Sequence, residues 1–178
     1  MDEVVKRNLE QKGFNLGRRL GYGGFAEVWE AVSPTGVPCA IKVSLRPLEE
    51  NADILRKELN FLENYKHLSG HPHLVAIIDV EIVGESLVSR WELADGGTLA
   101  DLLRRCQEEG RSGVPMESLL SHIQDAAEGI DFLNNRGIYH RDIKPSNLLL
   151  FHGRVKVGDV GLAKLVEASI GSHTMLGT

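Results

Sequence analysis

Hydrophobic periodicity changes once along this chain, near residue 93, and that change constrains the fold more than any other feature. Before it, β-branched, apolar and aromatic residues come in short runs: Leu16 to Leu20, Ala26 to Val32, Val37 to Val43, Leu74 to Val83 and Ser86 to Leu93. Turn-forming stretches divide several of them, Gly21-Tyr22-Gly23-Gly24, Ser33-Pro34-Thr35-Gly36 and Gly84-Glu85, so the runs read as strands. One helix interrupts them, over about 51–68, with Ile54, Leu55, Leu59 and Leu62 at helical spacing. After residue 93 the pattern is helical. Thr98 can cap a helix from Leu99 to Glu109. A second, from Met116 to Asn135, carries the apolar stripe Leu119, Leu120, Ile123, Ala126, Ala127, Ile130 and Leu133, with Gly137 as its stop. Two extended pieces follow, Asn147 to Phe151 and Arg154 to Val157, around a His152-Gly153 turn. The expected class is α+β, a sheet-rich part with one helix followed by a helical part.

Charge and cysteine usage narrow the function classes. The net charge of −5 over 178 residues argues against a nucleic-acid partner, which needs a concentrated basic surface. No apolar run approaches the roughly 18 residues of a membrane span. Met1 to Arg7 lacks the apolar core of a secretory signal. Cys39 sits in an apolar run and reads as buried; Cys106 follows Arg104 and Arg105 and reads as surface. A disulfide between them is not expected, and a reducing, cytoplasmic setting is the simpler reading. His71 and His73 flank Pro72, which favours extended backbone, and the seven histidines show no metal-ligand spacing.

The residues that carry chemistry fall in four segments. His140-Arg141-Asp142-Ile143-Lys144-Pro145-Ser146-Asn147 places a proton acceptor, a phosphate-neutralising lysine and a magnesium-binding amide oxygen at fixed offsets. Asp159-Val160-Gly161 follows a short strand, twelve residues after Asn147. Gly21-Tyr22-Gly23-Gly24-Phe25-Ala26 lies between two strands, where glycines let backbone amides approach phosphate oxygens. Alone it also fits a tight hairpin turn. A strand follows it rather than a helix, so it is no dinucleotide fingerprint. Lys42 closes Ala40-Ile41-Lys42 inside an apolar run, where a lysine is costly to bury unless paired or bound to an anion. Its bland alternative is the solvent face of a strand.

Together these segments resemble the protein kinase domain, over residues 14–178. The resemblance implies a two-lobe fold, with 14–92 as a complete N-lobe and 93–178 as part of the C-lobe. It implies transfer of the γ-phosphate of ATP, with Mg2+, to serine or threonine hydroxyls of a protein substrate. Lysine two places beyond Asp142 marks that class in the family. Asp142 would be the base, Lys144 would stabilise the transferring phosphoryl group, and Asn147 and Asp159 would hold Mg2+. Gly21, Tyr22, Gly23, Gly24, Phe25 and Ala26 would cover the phosphates. Lys42 would hold them, oriented by Glu58. Glu63 is the rival for that role, and Glu58 is preferred because Leu62 then faces the core. Val28, Ala40 and Leu149 would sandwich adenine, and Glu92 to Ala94 would be the hinge. Trp91 would be a bulky gatekeeper closing the pocket behind adenine. Leu62, Ile77, His140 and Val160 would form the regulatory column.

The chain departs from the family pattern at Ala26, where a third glycine is usual, and at Val160, where phenylalanine is usual. Arg141 implies control by phosphorylation after Asp159, with Ser169, Ser172 and Thr174 as candidates. Thr178 would be structural, bonding Asp142 and Lys144. No A-P-E segment follows, so the chain reads as a fragment of a longer kinase. Its second long helix would then be partly exposed, which implies self-association. The alternative is a non-catalytic, ATP-binding regulatory module, disfavoured by the intact set Lys42, Glu58, Asp142, Asn147 and Asp159. A small-molecule kinase is disfavoured by Lys144 and Gly177-Thr178.

Overall fold

Strands β1 (Asn15–Tyr22), β2 (Ala26–Val32), β3 (Pro38–Ser44), β4 (Ile77–Val83) and β5 (Ser86–Glu92) form one antiparallel sheet in the order β1-β2-β3-β5-β4. The computed structural model describes residues 1–24, 26–45, 48–68 and 70–160, with backbone alone at 48–55. Among these, one compact unit comprises 1–68 and 76–93, the other 70–75 and 94–160.

In the first unit, strand alternation gives the sheet two faces. Cys39, Ile41 and Val43 of β3 point to one; Ala40 and Lys42 point to the other. The first face is closed by a helix the sequence pattern did not announce, α1 (Glu3–Gln11), capped by Asp2, whose carboxylate accepts from the Val4 amide at 2.8 Å. Its Val5 and Leu9 join Phe14, Ala31, Cys39, Ile41, Val43, Val83 and Val88 in one core. Burying those two side chains contributes about 3–5 kcal/mol. Gly13, at φ +83, turns the chain from α1 into β1. On the same face Glu27 is 2% exposed and pairs with the Met1 amino group.

The interrupting helix, α2 (Leu48–Leu68), starts three residues earlier than the periodicity suggests and packs on β4 and β5. Leu62 and Tyr65 are its buried contacts, and the Tyr65 ring meets Trp91 at 5.8 Å. Burial, then the charge of Glu92, pushes the Tyr65 phenol up.

The second unit holds α3 (Leu99–Glu108), α4 (Met116–Asn134), a 3₁₀ turn (Pro145–Asn147) and a hairpin of β6 (Leu148–Phe151) with β7 (Arg154–Val157). Thr98 caps α3 as expected, in a reciprocal box with Asp101. Gly137 takes φ +71 beyond the end of α4. The expectation that Cys106 is surface is wrong: it is 3% exposed. Leu99 and Cys106 lie seven residues apart on one helix face, so Cys106 turns inward while its arginine neighbours turn out. The strand expected from Leu74 pairs only from Ile77; Leu74 instead bridges Val157 in the second unit.

The apolar stripe of α4 divides. Ala126 and Leu133 are buried, whereas Leu120 and Ile123 are 61% and 49% exposed, and Met116, at the start of the helix and outside the stripe, is 69% exposed. The buried face is partly polar, because Asp125 accepts from Arg154 Nε at 2.9 Å and from the Val155 amide at 2.9 Å. The Arg154 hydrogen bond, chiefly, holds the Asp125 carboxyl below its usual range.

Candidate active site

The glycine loop joins β1 to β2, and its hairpin is pinned by the Gly23 amide on the Ala26 carbonyl at 2.9 Å. A Cβ built on Gly21 or Gly24 meets nothing within 4 Å, and one on Gly23 meets only the Ala26 oxygen at 3.8 Å. None of the three takes a left-handed φ. Neither backbone strain nor packing among the described residues therefore demands glycine here. What remains is room for something that approaches the backbone closely, which fits a polyphosphate. Tyr22 is 66% exposed; Phe25 lies outside the described residues.

Lys42 stands on the sheet face opposite α1, paired in register with Val28 on one side and Ser89 on the other. Ala40 is next on that face, between Glu30 and Trp91. Glu58 on α2 is half-buried, one turn before the buried Leu62. Trp91 is 8% exposed and its indole N–H donates to the Ser89 hydroxyl at 2.9 Å, so the ring is held beside the Lys42 strand. Ser89 is a residue the sequence reading missed. The Glu92 amide donates to the Ala76 carbonyl at 3.0 Å, and the Glu92 carboxylate accepts from the Ala76 amide at 2.6 Å. Both of those Glu92 groups are thus committed to the sheet edge, while Ala94 begins the second unit.

In the second unit the segment 140–147 is tied together by its own side chains. Lys144 Nζ donates to Asp142 Oδ2 at 2.8 Å. The Asn147 amide nitrogen donates to the Asp142 carbonyl at 2.8 Å and to Oδ2 at 3.2 Å. Asn147 is 5% exposed, so this amide is fixed in orientation. The hydrogen bond to Asp142, and then the charges of Asp142 and Asp159, raise the Lys144 pKa. His140 Nδ1 accepts from the Asp142 amide at 3.3 Å, which leaves Nε2 as the protonated nitrogen donating to the Gly158 carbonyl at 2.7 Å.

Gly158 is the second residue the sequence reading missed. Its amide donates to the Asn147 carbonyl at 2.9 Å while its carbonyl accepts from His140. It thereby joins the Asp142 segment to Asp159. A Cβ there would stand 2.6 Å from Leu149 Cδ1 and 3.2 Å from Val75 Cγ2. Asp159 and Arg141 take φ +58 and +61, a region costing about 1–3 kcal/mol each for residues with a side chain. The network around His140 and Gly158 holds them there. Asp159 is exposed and Val160 is 2% exposed. Leu62, Ile77 and His140 are also buried. Gly161, Ser169, Ser172, Thr174, Gly177 and Thr178 lie outside the described residues.

The family of the Protein kinase domain matches residues 14–178. The chain belongs to the protein kinase family. Its five-stranded antiparallel sheet with α2, followed by a helical unit, is the two-lobe kinase fold with part of the second lobe. Among its relatives, Protein-tyrosine kinase 6 of Homo sapiens is 33% identical over 88% of this kinase chain and 34% of its own. CBL-interacting serine/threonine-protein kinase 9 of Arabidopsis thaliana is 32% identical over 93% of this chain and 37% of its own. CBL-interacting protein kinase 10 of Oryza sativa subsp. japonica is 30% identical over 97% of this chain and 38% of its own. The chain thus spans about a third of the length of the curated relatives it matches. Kinase chemistry uses ATP and Mg2+, and the donor set suits both. Asn147 and Asp159 offer hard oxygen ligands of the kind Mg2+ takes, and the open glycine loop suits the phosphates. Among the described residues no group of three or more His, Cys, Asp and Glu side chains forms a separate metal site, and no helix is long and apolar enough to cross a membrane.

Proposed function

We propose that this kinase transfers the γ-phosphate of ATP to serine and threonine hydroxyls of protein substrates. The observation that carries the reading is the Asp142 carboxylate held by both Lys144 and Asn147. Asp142 accepts the proton as the substrate hydroxyl attacks, a role worth ~10²–10⁴ in rate for a positioned base. Lys144, its charge secured by two neighbouring carboxylates, neutralises the phosphoryl group in flight. Asn147 has its nitrogen committed to Asp142, so its oxygen is the atom to ligate Mg2+, together with Asp159. Mg2+ bound there supplies charge neutralisation across the phosphates.

In this reading Gly21, Tyr22, Gly23, Gly24, Phe25 and Ala26 cover the phosphates, and Lys42 grips them with Glu58 as its orienter. Val28, Ala40 and Leu149 take adenine between them at a Glu92-to-Ala94 hinge, with Trp91 closing the space behind. Leu62, Ile77, His140 and Val160 form the regulatory column. Residues 14–92 make the nucleotide lobe and 93–178 part of the substrate lobe. The cytosol is the proposed setting, consistent with two free cysteines. Self-association through the exposed residues of α4 belongs to the same reading, and a concentration-dependent sedimentation coefficient would reveal it.

The relatives include one named for tyrosine, so the acceptor rests on Lys144 rather than on identity. Incubating the protein with γ-labelled ATP, Mg2+ and a mixed protein substrate, followed by phosphoamino-acid analysis, tests it. Phosphoserine and phosphothreonine are expected, and Asp142→Ala and Asp159→Ala should abolish them. Phosphotyrosine alone would overturn the acceptor class. ATP binding without transfer would favour the non-catalytic module.

A further inference from the structure

The outer face of the sheet, opposite Lys42, contains a cavity of about 260 Å³ that the phosphotransfer reading does not use. It arises because α1 covers only part of this face before Gly13 turns the chain into β1. Its apolar wall is made by Leu9, Phe14, Ile41 and Val88, all members of the outer-face core. Its polar rim holds two positive and two negative side chains in very different states. Lys12 is closed tightly on Glu81. Arg90 is held loosely: its nearest carboxylate, on Asp79, is 3.8 Å away, beyond hydrogen-bond length.

The Arg90 guanidinium instead lies over the Phe14 ring, 5.3 Å from its centroid. Its Nε is buried, and among the described residues no atom accepts from it. A buried N–H without an acceptor is rare in a settled core, because the group has lost water and gained nothing. The Arg90 side chain is 27% exposed, and its two terminal Nη groups together can meet the two oxygens of one carboxylate. An apolar wall meeting one under-used guanidinium is complementary to a molecule with the same division.

We propose that this cavity binds a small amphipathic carboxylate, its apolar body against Leu9, Ile41 and Val88 and its carboxylate on Arg90. At ~30 Å³ per water-sized group, the space suits a compound of roughly ten non-hydrogen atoms. The ligand bridges α1 to β3, β4 and β5, so its binding stabilises the docking of α1.

Calorimetric titration with 3-phenylpropionate, alongside 3-phenylpropanamide, tests the proposal. Saturable one-to-one binding of the acid is expected, with a dissociation constant of roughly millimolar or below for a ligand of this size. The amide, lacking the charge, should bind about tenfold more weakly. Arg90→Met should weaken the acid about tenfold and leave the amide unchanged. Asp79→Asn, on an exposed side chain, removes the competing carboxylate and should tighten the acid roughly threefold. That variant carries the test by itself if Arg90→Met does not fold. Absence of saturable binding, equal binding of acid and amide, or an acid affinity indifferent to Asp79→Asn would overturn it.

Discussion

Gly21, Gly23 and Gly24 in the first unit and Gly129 and Gly158 in the second are one residue type in opposite surroundings. A Cβ on the loop glycines meets open space or a distant oxygen. A Cβ on Gly129 would stand 2.5 Å from the His73 carbonyl oxygen, and one on Gly158 2.6 Å from Leu149. The second unit uses glycine so that its own parts can touch: α4 against the 70–75 segment, and the strand before Asp159 against β6. The loop uses glycine where, among the described residues, nothing packs against it. The difference teaches that glycine serves internal contact in one place, while in the loop it leaves the backbone open, as the proposed phosphate cover requires.

The largest effect should come where a functional group, rather than space, is removed. Asp142→Ala should lower kcat by ~10³-fold or more, within the range of a positioned base, while the urea midpoint barely moves. Alanine at the packed glycines should do the reverse. Gly129→Ala and Gly158→Ala should each cost about 1–3 kcal/mol in chemical denaturation, Gly129→Ala the more because a backbone oxygen yields less than a leucine methyl. Gly158→Ala should also lose phosphotransfer, since the residue joins His140 to Asn147.

Asp125 sharpens the same contrast through pH. Asp125→Asn should cost about 2 kcal/mol at pH 7, discounted because Arg154 is 62% exposed and regains water. The Asp125 carboxyl is depressed in the folded state, so its contribution is fully present above the unfolded value of about 4. That contribution is lost as pH falls through the lower folded value. The stability gap between wild type and Asp125→Asn should therefore narrow below about pH 4, measured by urea unfolding at each pH. The smallest stability effect belongs to the loop. Gly21→Ala should change stability by less than about 0.5 kcal/mol yet raise the KM for ATP several-fold. A destabilised Gly21→Ala with unchanged KM would break the comparison.

Most elements of the fold were legible in local pattern. β2 and β7 match their expected bounds, and the Thr98 cap stands where the sequence places it. Helix α1 was illegible because only Val5 and Leu9 of its nine residues are buried, too few to set a period. Asp125 was illegible for another reason. An aspartate on a helix reads as solvated unless its partner is known, and Arg154 lies 29 residues away. Of the candidate site, the chemical residues were legible as motifs; Gly158 and Ser89 were not, because a glycine after a strand and a serine in one are ordinary.

By itself, then, the sequence determined the order of elements from β1 onward and the family to which the chain belongs. Periodicity, caps and the Asp142-to-Asn147 spacing act between chain neighbours, and such interactions are visible in one dimension. Only the tertiary structure decided which glycines are packed and which face open space, and that Asp125 is an interior anchor. It alone decided that α1 leaves a cavity beside Arg90. Burial depends on residues far apart in the chain, as Asp125 and Val155 are, 30 positions from each other. No local pattern reports which of them will meet.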